Sequence, residues 1–278
     1  DYYTQAQKET SVDEKSRFKN DHVSGAAKTL GEILVTTKVV GYRKIRWFTH
    51  EFLGGGKVDL PPTMLNTVGY WISLDKATVD KLKDQMLWNA SQNDYGPDWD
   101  KIRIQVLNRD GHRCQVCGAQ GDGRPLHVHH IQPFRSYTSQ EVANQLQNLI
   151  SLCPSCHRKA ETNVRVRSGM AGLSYVLHHM APLMIMCDGE DIDVHYDPNS
   201  TLGDGNPTVV LFDTIPGGLG LSQNLYELHD DLIAQGLETV AACECEDGCP
   251  SCVGPVGEEG FGGKAETIAI LKALSNND

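Results

Sequence analysis
Residues 114–161 read Cys114-Gln-Val-Cys117, then Leu126-His127-Val128-His129-His130-Ile131, then Asn148-Leu-Ile-Ser-Leu-Cys153-Pro-Ser-Cys156-His157-Arg158-Lys159-Ala160-Glu161. Thiolates of two Cys-x2-Cys knuckles can converge on one tetrahedral ion, about 2.3 Å from each sulfur. Cys114, Cys117, Cys153 and Cys156 therefore form a candidate zinc site. The segment between the knuckles holds a tandem His pair and an Asn, and a further His directly follows the last Cys. Leu126 to Ile131 read as a strand, whose alternation sends His129 and His130 to opposite sides, so the two cannot readily share one job.

Those residue types suit phosphodiester hydrolysis, which needs an in-line water, a base for its proton and a cation for the charge building on phosphate and leaving oxygen. Their order resembles the zinc-bracketed form of the HNH (ββα-metal) endonuclease family. The resemblance implies that His129 is the first ligand of a catalytic ion, that His130 is the general base, and that His157, early on the following helix, is the second ligand. Glu161 follows His157 by one helical turn and can reach the same ion. Many relatives carry His there; a carboxylate makes the site harder and favours Mg²⁺ or Mn²⁺ over Zn²⁺, although two imidazoles leave the choice open. Asn148 falls on the family's central Asn and would pin the loop that orients the base, with Asn144 as the second candidate. Arg158 and Lys159 are placed to meet phosphate. The activity implied is metal-dependent DNA cleavage, one strand per site. A purely structural zinc ribbon is the alternative reading of the four cysteines, but it requires neither a His pair nor a His after the last Cys. His127 and His112 read as incidental.

A second cluster, Cys243-Glu-Cys245-Glu-Asp-Gly248-Cys249-Pro250-Ser-Cys252, places four thiols within ten residues, with Gly and Pro to turn the backbone around a second zinc ion. Its surroundings resemble the zinc-binding domain at the C-terminus of MrfA-type helicases. The matching pieces are Asp1 to Thr4, Val35 to Tyr42, Asp59 to Pro62, Ala181 to Asp188, Leu211 to Asp213 and Pro216 to Gly220, besides the cysteines. They cover both ends of the chain and skip its middle. The expected fold is α+β, a ββα-metal HNH module inserted into a mixed α/β zinc-binding domain. The expected parts are residues 1–74, a helix and linker over 75–98, the HNH unit over 99–163 and a second part over 164–278.

Composition agrees with two soluble modules: 40% hydrophobic residues in 278, with a mean hydropathy of -0.36. No run is long and apolar enough to span a membrane, and Cys-x2-Cys pairs without a secretory signal read as metal ligands of a cytoplasmic protein rather than disulfides. The net charge of -11 is uneven. Residues 1–98 have thirteen basic and thirteen acidic side chains, 99–161 eight against five, and 162–278 four against eighteen. Only the HNH segment is positive, so DNA as partner implies modest, salt-sensitive affinity. The chain begins at Asp1 and shows no Walker A sequence; the expected motor partner is a helicase in a missing N-terminal part or another subunit. Such a pairing implies DNA repair or defence against foreign DNA. A different class of function stays open: a non-catalytic zinc module that binds nucleic acid or protein within a helicase complex.

Residues 1–25, polar and mixed in charge, read either as a loop entry or as a segment packed against material outside this chain, Gly31–Trp47 and Thr63–Ser73 as strands, and Gly54 to Gly56 as a turn between them. Apolar positions Val79, Leu82, Met86 and Leu87 predict a helix over 76–88, and 89–98 a linker. Further helices are expected over 99–109, 169–184, 222–235 (capped by Ser222, stopped by Gly236) and 265–274, with a buried strand over 208–213. Gly217-Gly218-Leu-Gly220 is read either as a phosphate cradle or as close strand–helix packing. His178-His179 reads as a structural pair and Cys187 as a core thiol. Tyr42-Arg-Lys-Ile-Arg46 reads equally as a solvated edge or a DNA-facing ridge.

Overall fold
A computed structural model describes residues 2–47, 52–88, 95–120, 126–132, 134, 137, 139–254 and 263–275, without the side chains of 52, 84–88, 162 and 163. Two layers dominate. The first is an antiparallel sheet of β1 (Tyr2–Val23), β2 (Ala26–Arg46), β4 (Thr63–Leu74), β8 (Thr208–Asp213) and β7 (Ile192–Asp197) in that spatial order, with β3 (Phe52–Lys57) paired to β2. The second is a helical layer of α1 (Lys76–Trp88), α4 (Pro154–Ile185), α5 (Leu221–Glu227), α6 (His229–Ala242) and α7 (Lys264–Leu274). Strands from either side of residues 75–191 thus share one sheet, β4 bonding β8 from Gly69↔Phe212 to Ser73↔Thr208.

Alternation along β4 builds both sheet faces. Tyr70, Ile72 and Leu74 join Leu30, Val209 and Leu211 against Met170, Leu173 and Leu177 of α4, whereas Trp71 turns to a smaller cluster with Ile33, Val35, Val210 and Phe212. Full burial of one such large apolar side chain stabilises by about 1.5–3 kcal/mol.

Several sequence expectations are corrected. Residues 2–23 form the edge strand β1, not a loop; its mostly exposed, charged side chains mask the strand while protecting a free sheet edge. Gly54 to Gly56 lie inside β3, held by pairing to Tyr42, Arg43 and Lys44. The helix over 169–184 is the second half of α4, whose axis runs unbroken from the last zinc knuckle. The 222–235 helix is two helices meeting at Leu228; Gly220, at φ 84, is the N-cap residue, and Gly236 lies within α6. The cradle at Gly217–Gly220 is filled by this chain's own Asp213. Its carboxylate accepts from the backbone N–H of Leu219, Leu221 and Ser222 and from the Ser222 hydroxyl, occupying the donors an anion would need. Cys187 is half-buried at the margin of the core rather than within it. His178 and His179 are satisfied by the carbonyls of Ile192 and Tyr175. The expected linker residues 89–94 and the side chains of Met86 and Leu87 lie outside the described residues. No helix among the described residues is long and apolar enough to cross a membrane.

Candidate metal and nuclease centre
The described residues within 99–161 fold around the first cysteine cluster. α2 (Trp99–Arg109) leads into the first knuckle, β5 (His127–His130) pairs antiparallel with β6 (Leu149–Leu152), the short α3 (Gln140–Ala143) lies between them in sequence, and α4 starts at Pro154. Proline at the first helical position has no N–H to leave unpaired, and Cys153 Sγ caps the turn by accepting from Cys156 N at 3.5 Å. Leu107, Leu126 and Leu152 pack beside Cys114 as a small core. Arg109 ties the unit together, donating to the Leu146 and Leu149 carbonyls, while Asp110 accepts from Ser151 N.

The donor set and spacing of both cysteine clusters fit structural zinc. Four sulfurs 2.3 Å from one ion define tetrahedral edges of about 3.8 Å. Cys117 Sγ lies 3.8 Å from Cys153 Sγ, and in the second cluster Cys243–Cys245, Cys243–Cys249 and Cys245–Cys252 are each 3.5 Å apart. The second cluster is tied to its surroundings by Lys264, whose Nζ donates to the carbonyls of Cys243 and Cys245, and by Tyr175 of α4, whose hydroxyl donates to the Pro250 carbonyl.

A third cluster is formed by His129, His157 and Glu161, with one ligand atom from each all within 4.8 Å of one another. The β5 register sends His129 toward α4, its ring 5.3 Å from that of His157 and nearly perpendicular to it. His157 and Glu161 stand one helical turn apart, Nε2 to Oε1 being 3.6 Å. Burial, with His157 and His130 adding to it, pushes the His129 pKa down to about 4, so its lone pair is available at neutral pH. Burial also lowers that of His157, against the opposing pull of Glu161. Two imidazoles and a carboxylate at this separation suit a divalent ion with positions left for water and substrate.

His130 faces the other way and is buried. Its ring lies nearly parallel to those of Tyr95 and Trp99, at 5.2 and 5.3 Å, with the edge of Phe134 completing the enclosure. Its Nε2 lies 3.0 Å from Asn144 Oδ1, and Asn144 Nδ2 donates to the Tyr95 carbonyl at 2.8 Å. That second bond fixes the amide orientation, so Oδ1 must accept. His130 then carries its proton on Nε2 and its lone pair on Nδ1. Burial lowers the His130 pKa, partly offset by Asn144.

Asn148 brackets the segment just after His130. Its Oδ1 accepts from Gln132 N, and its Nδ2 donates to the carbonyls of Gln132 and Ala143. The contact to His130 itself comes from Asn144, a role that spacing alone did not distinguish from that of Asn148. His127, read as incidental, shares the His129 side of β5, its ring 4.8 Å from that of His157. Arg158 and Lys159 are exposed on the first turns of α4.

The HNH endonuclease family model matches residues 114–163, and that of the MrfA Zn-binding domain matches 173–253. The chain is 35% identical over 106 residues to the ATP-dependent helicase YprA of Bacillus subtilis, covering 38% of this chain and 14% of YprA. It is 30% identical over 112 residues to protein MJ1572.1 of Methanocaldococcus jannaschii, covering 38% of this chain and 98% of that protein. In fold it resembles a crystal structure of the DUF1998 helicase MrfA bound to DNA, with a TM-score of 0.54 at 21% identity, over 99% of this chain and 26% of the helicase. The chain thus spans a minor part of both helicases. On these matches the chain belongs to one family with protein MJ1572.1, and it carries an MrfA Zn-binding domain and an HNH endonuclease-family domain.

Proposed function
We propose that this chain is a metal-dependent DNA endonuclease that nicks one strand per site, carried on a helicase-associated zinc-binding domain. The observation that carries the reading is the meeting of His129, His157 and Glu161 on one side of β5, with His130 on its other side in a tautomer set by Asn144. A divalent ion held by the first three residues would supply charge stabilisation to the phosphate and the leaving oxygen. Mg²⁺ or Mn²⁺ suits the carboxylate best. His130 Nδ1 is the base for the attacking water, Asn148 holds the following turn, and Arg158 and Lys159 meet the backbone phosphates.

The pairing of β4 with β8 in one sheet supports the following division. Residues 1–74 and 164–278 make the zinc-binding domain, 75–98 connect, and 99–163 make the nuclease, with α4 crossing the boundary. Its partners are DNA and a helicase motor, a pairing supported by the names of the relatives and suited to repair or defence. The second reading, a non-catalytic interaction module, is favoured by the deep burial of His130. Incubating the chain with supercoiled plasmid and Mg²⁺ or Mn²⁺ separates the two. Relaxed circles that require the metal support the nuclease, and intact plasmid at saturating metal rejects it.

A further inference from the structure
Past Thr37, where pairing to β4 ends, β2 continues with only β1 and β3 beside it. The result is a three-stranded ribbon extending beyond the body of the sheet. Residues 2–11 and 36–57 hold six basic and two acidic side chains, in a chain whose net charge is -11. The register Tyr2↔Arg46, Thr4↔Lys44 and Ala6↔Tyr42 places Tyr2, Tyr42, Lys44 and Arg46 on one face, and Tyr42↔Gly56 and Lys44↔Gly54 place two glycines there. Lys44 Nζ stands 5.3 Å from the centre of the Tyr2 ring.

Gly56 decides how Tyr42 lies. A Cβ built on Gly56 would be 3.0 Å from Tyr42 Cε1, 3.2 Å from Cζ and 3.1 Å from the hydroxyl oxygen. Three ring-plane atoms that are not in line can be nearly equidistant from a point that far away only if the point lies off the plane. The built Cβ therefore lies off the ring plane beside the Cε1–Oη edge, so the phenol end of Tyr42 leans over the place a Gly56 side chain would take. A flat aromatic ring beside Lys44 and Arg46 is what unpaired bases and their phosphates require, whereas a duplex keeps its base faces stacked internally.

We propose that this ribbon face binds single-stranded nucleic acid, with a base stacked on Tyr42 and the flanking phosphates met by Lys44 and Arg46. The proposal goes beyond the nuclease reading and does not rest on it, because its readout is binding without cleavage.

The test is fluorescence anisotropy of labelled oligo(dT) with the full chain, without added Mg²⁺ or Mn²⁺, alongside a duplex of equal length. Tyr42→Leu should weaken single-strand binding about tenfold and leave the duplex unchanged, while Tyr42→Phe binds like the parent. Gly56→Val, which lifts the ring from its seat, should act like Tyr42→Leu. Lys44→Gln with Arg46→Gln should flatten the salt dependence of log K by about 1.4, at about 0.7 for each single-strand phosphate no longer neutralised. Equal single-strand affinity in the parent and Tyr42→Leu overturns the proposal, as does an equal loss on single strand and duplex. Should Tyr42→Leu lose its zinc or its cooperative melting, the double charge variant decides: an unchanged affinity and salt slope overturns the proposal.

Discussion

His157 and Leu177 stand on one uninterrupted helix, the first in the candidate metal cluster and the second in the core beneath the large sheet. At 1.5 Å per residue they are about 30 Å apart along α4. The candidate metal cluster of the HNH unit is thereby joined to the packing of the zinc-binding domain by a stiff connection rather than a linker.

Breaking that connection should uncouple the two units. Val164→Pro removes one helical hydrogen bond and clashes with the preceding turn, costing about 3 kcal/mol. Scanning calorimetry should show two transitions in place of one, with both zinc ions retained, whereas Val164→Ala melts as the parent does. A single transition in Val164→Pro would mean that α4 does not couple the units.

Asn144 should tune the base. Its carbonyl oxygen favours protonated His130, so Asn144→Ala lowers the His130 pKa and moves the rising limb of the cleavage pH–rate profile toward acid. Asn144→Asp, which places a negative charge there, moves it toward alkali. Both variants keep the parent's Mn²⁺ affinity, because Asn144 lies on the side of β5 away from His129. Profiles that do not move would remove Asn144 from the catalytic account.

Elemental analysis should find two tightly held zinc ions per chain, on Cys114, Cys117, Cys153 and Cys156 and on Cys243, Cys245, Cys249 and Cys252. Each contributes on the order of 10 kcal/mol of folding free energy, so a strong chelator should unfold the affected unit. Cys252→Ser should lose one ion and the zinc-binding domain; an unchanged zinc ratio would show that this site is not a tetrathiolate.

The sheet domain carries its own acid sensitivity. His229 is fully buried, with Nδ1 against the Tyr70 hydroxyl, and burial, assisted by Lys28, pushes its pKa down to about 4 from 6.5. Between those values the unfolded chain binds a proton that the native state refuses. Stability is therefore complete above about pH 6.5 and falls as pH drops toward 4, by up to roughly 3 kcal/mol from this residue. His229→Gln should flatten the denaturation midpoint across that window. A slope equal to the parent's would assign the acid sensitivity to other groups.

The sequence discloses the chemistry of this protein more fully than its architecture. Cysteine spacing locates both clusters because thiol ligands converge from short, turn-rich segments, and the β5 alternation separates His129 from His130 without reference to the rest of the fold. β1 stays hidden because an edge strand with Glu, Lys, Asp and Ser on both faces has no apolar alternation to reveal it. The break at Leu228 is likewise silent, since no Gly or Pro marks it and its backbone (φ -89, ψ 16) departs only modestly from helical values. The contact of Asn144 with His130 depends on how residues 131–143 turn, which spacing does not specify.

The central claim is that His130 is the base and His129 a metal ligand. Single-turnover cleavage, measured across a Mn²⁺ titration in His130→Ala and His129→Ala, tests it directly. A lost base lowers the rate by about 10² to 10⁴ whatever the metal concentration, whereas a lost ligand weakens metal binding itself. The account predicts that His130→Ala binds Mn²⁺ and DNA like the parent yet stays slow at saturation, and that excess Mn²⁺ partly restores His129→Ala. Rescue of His130→Ala by metal, with none for His129→Ala, would contradict it.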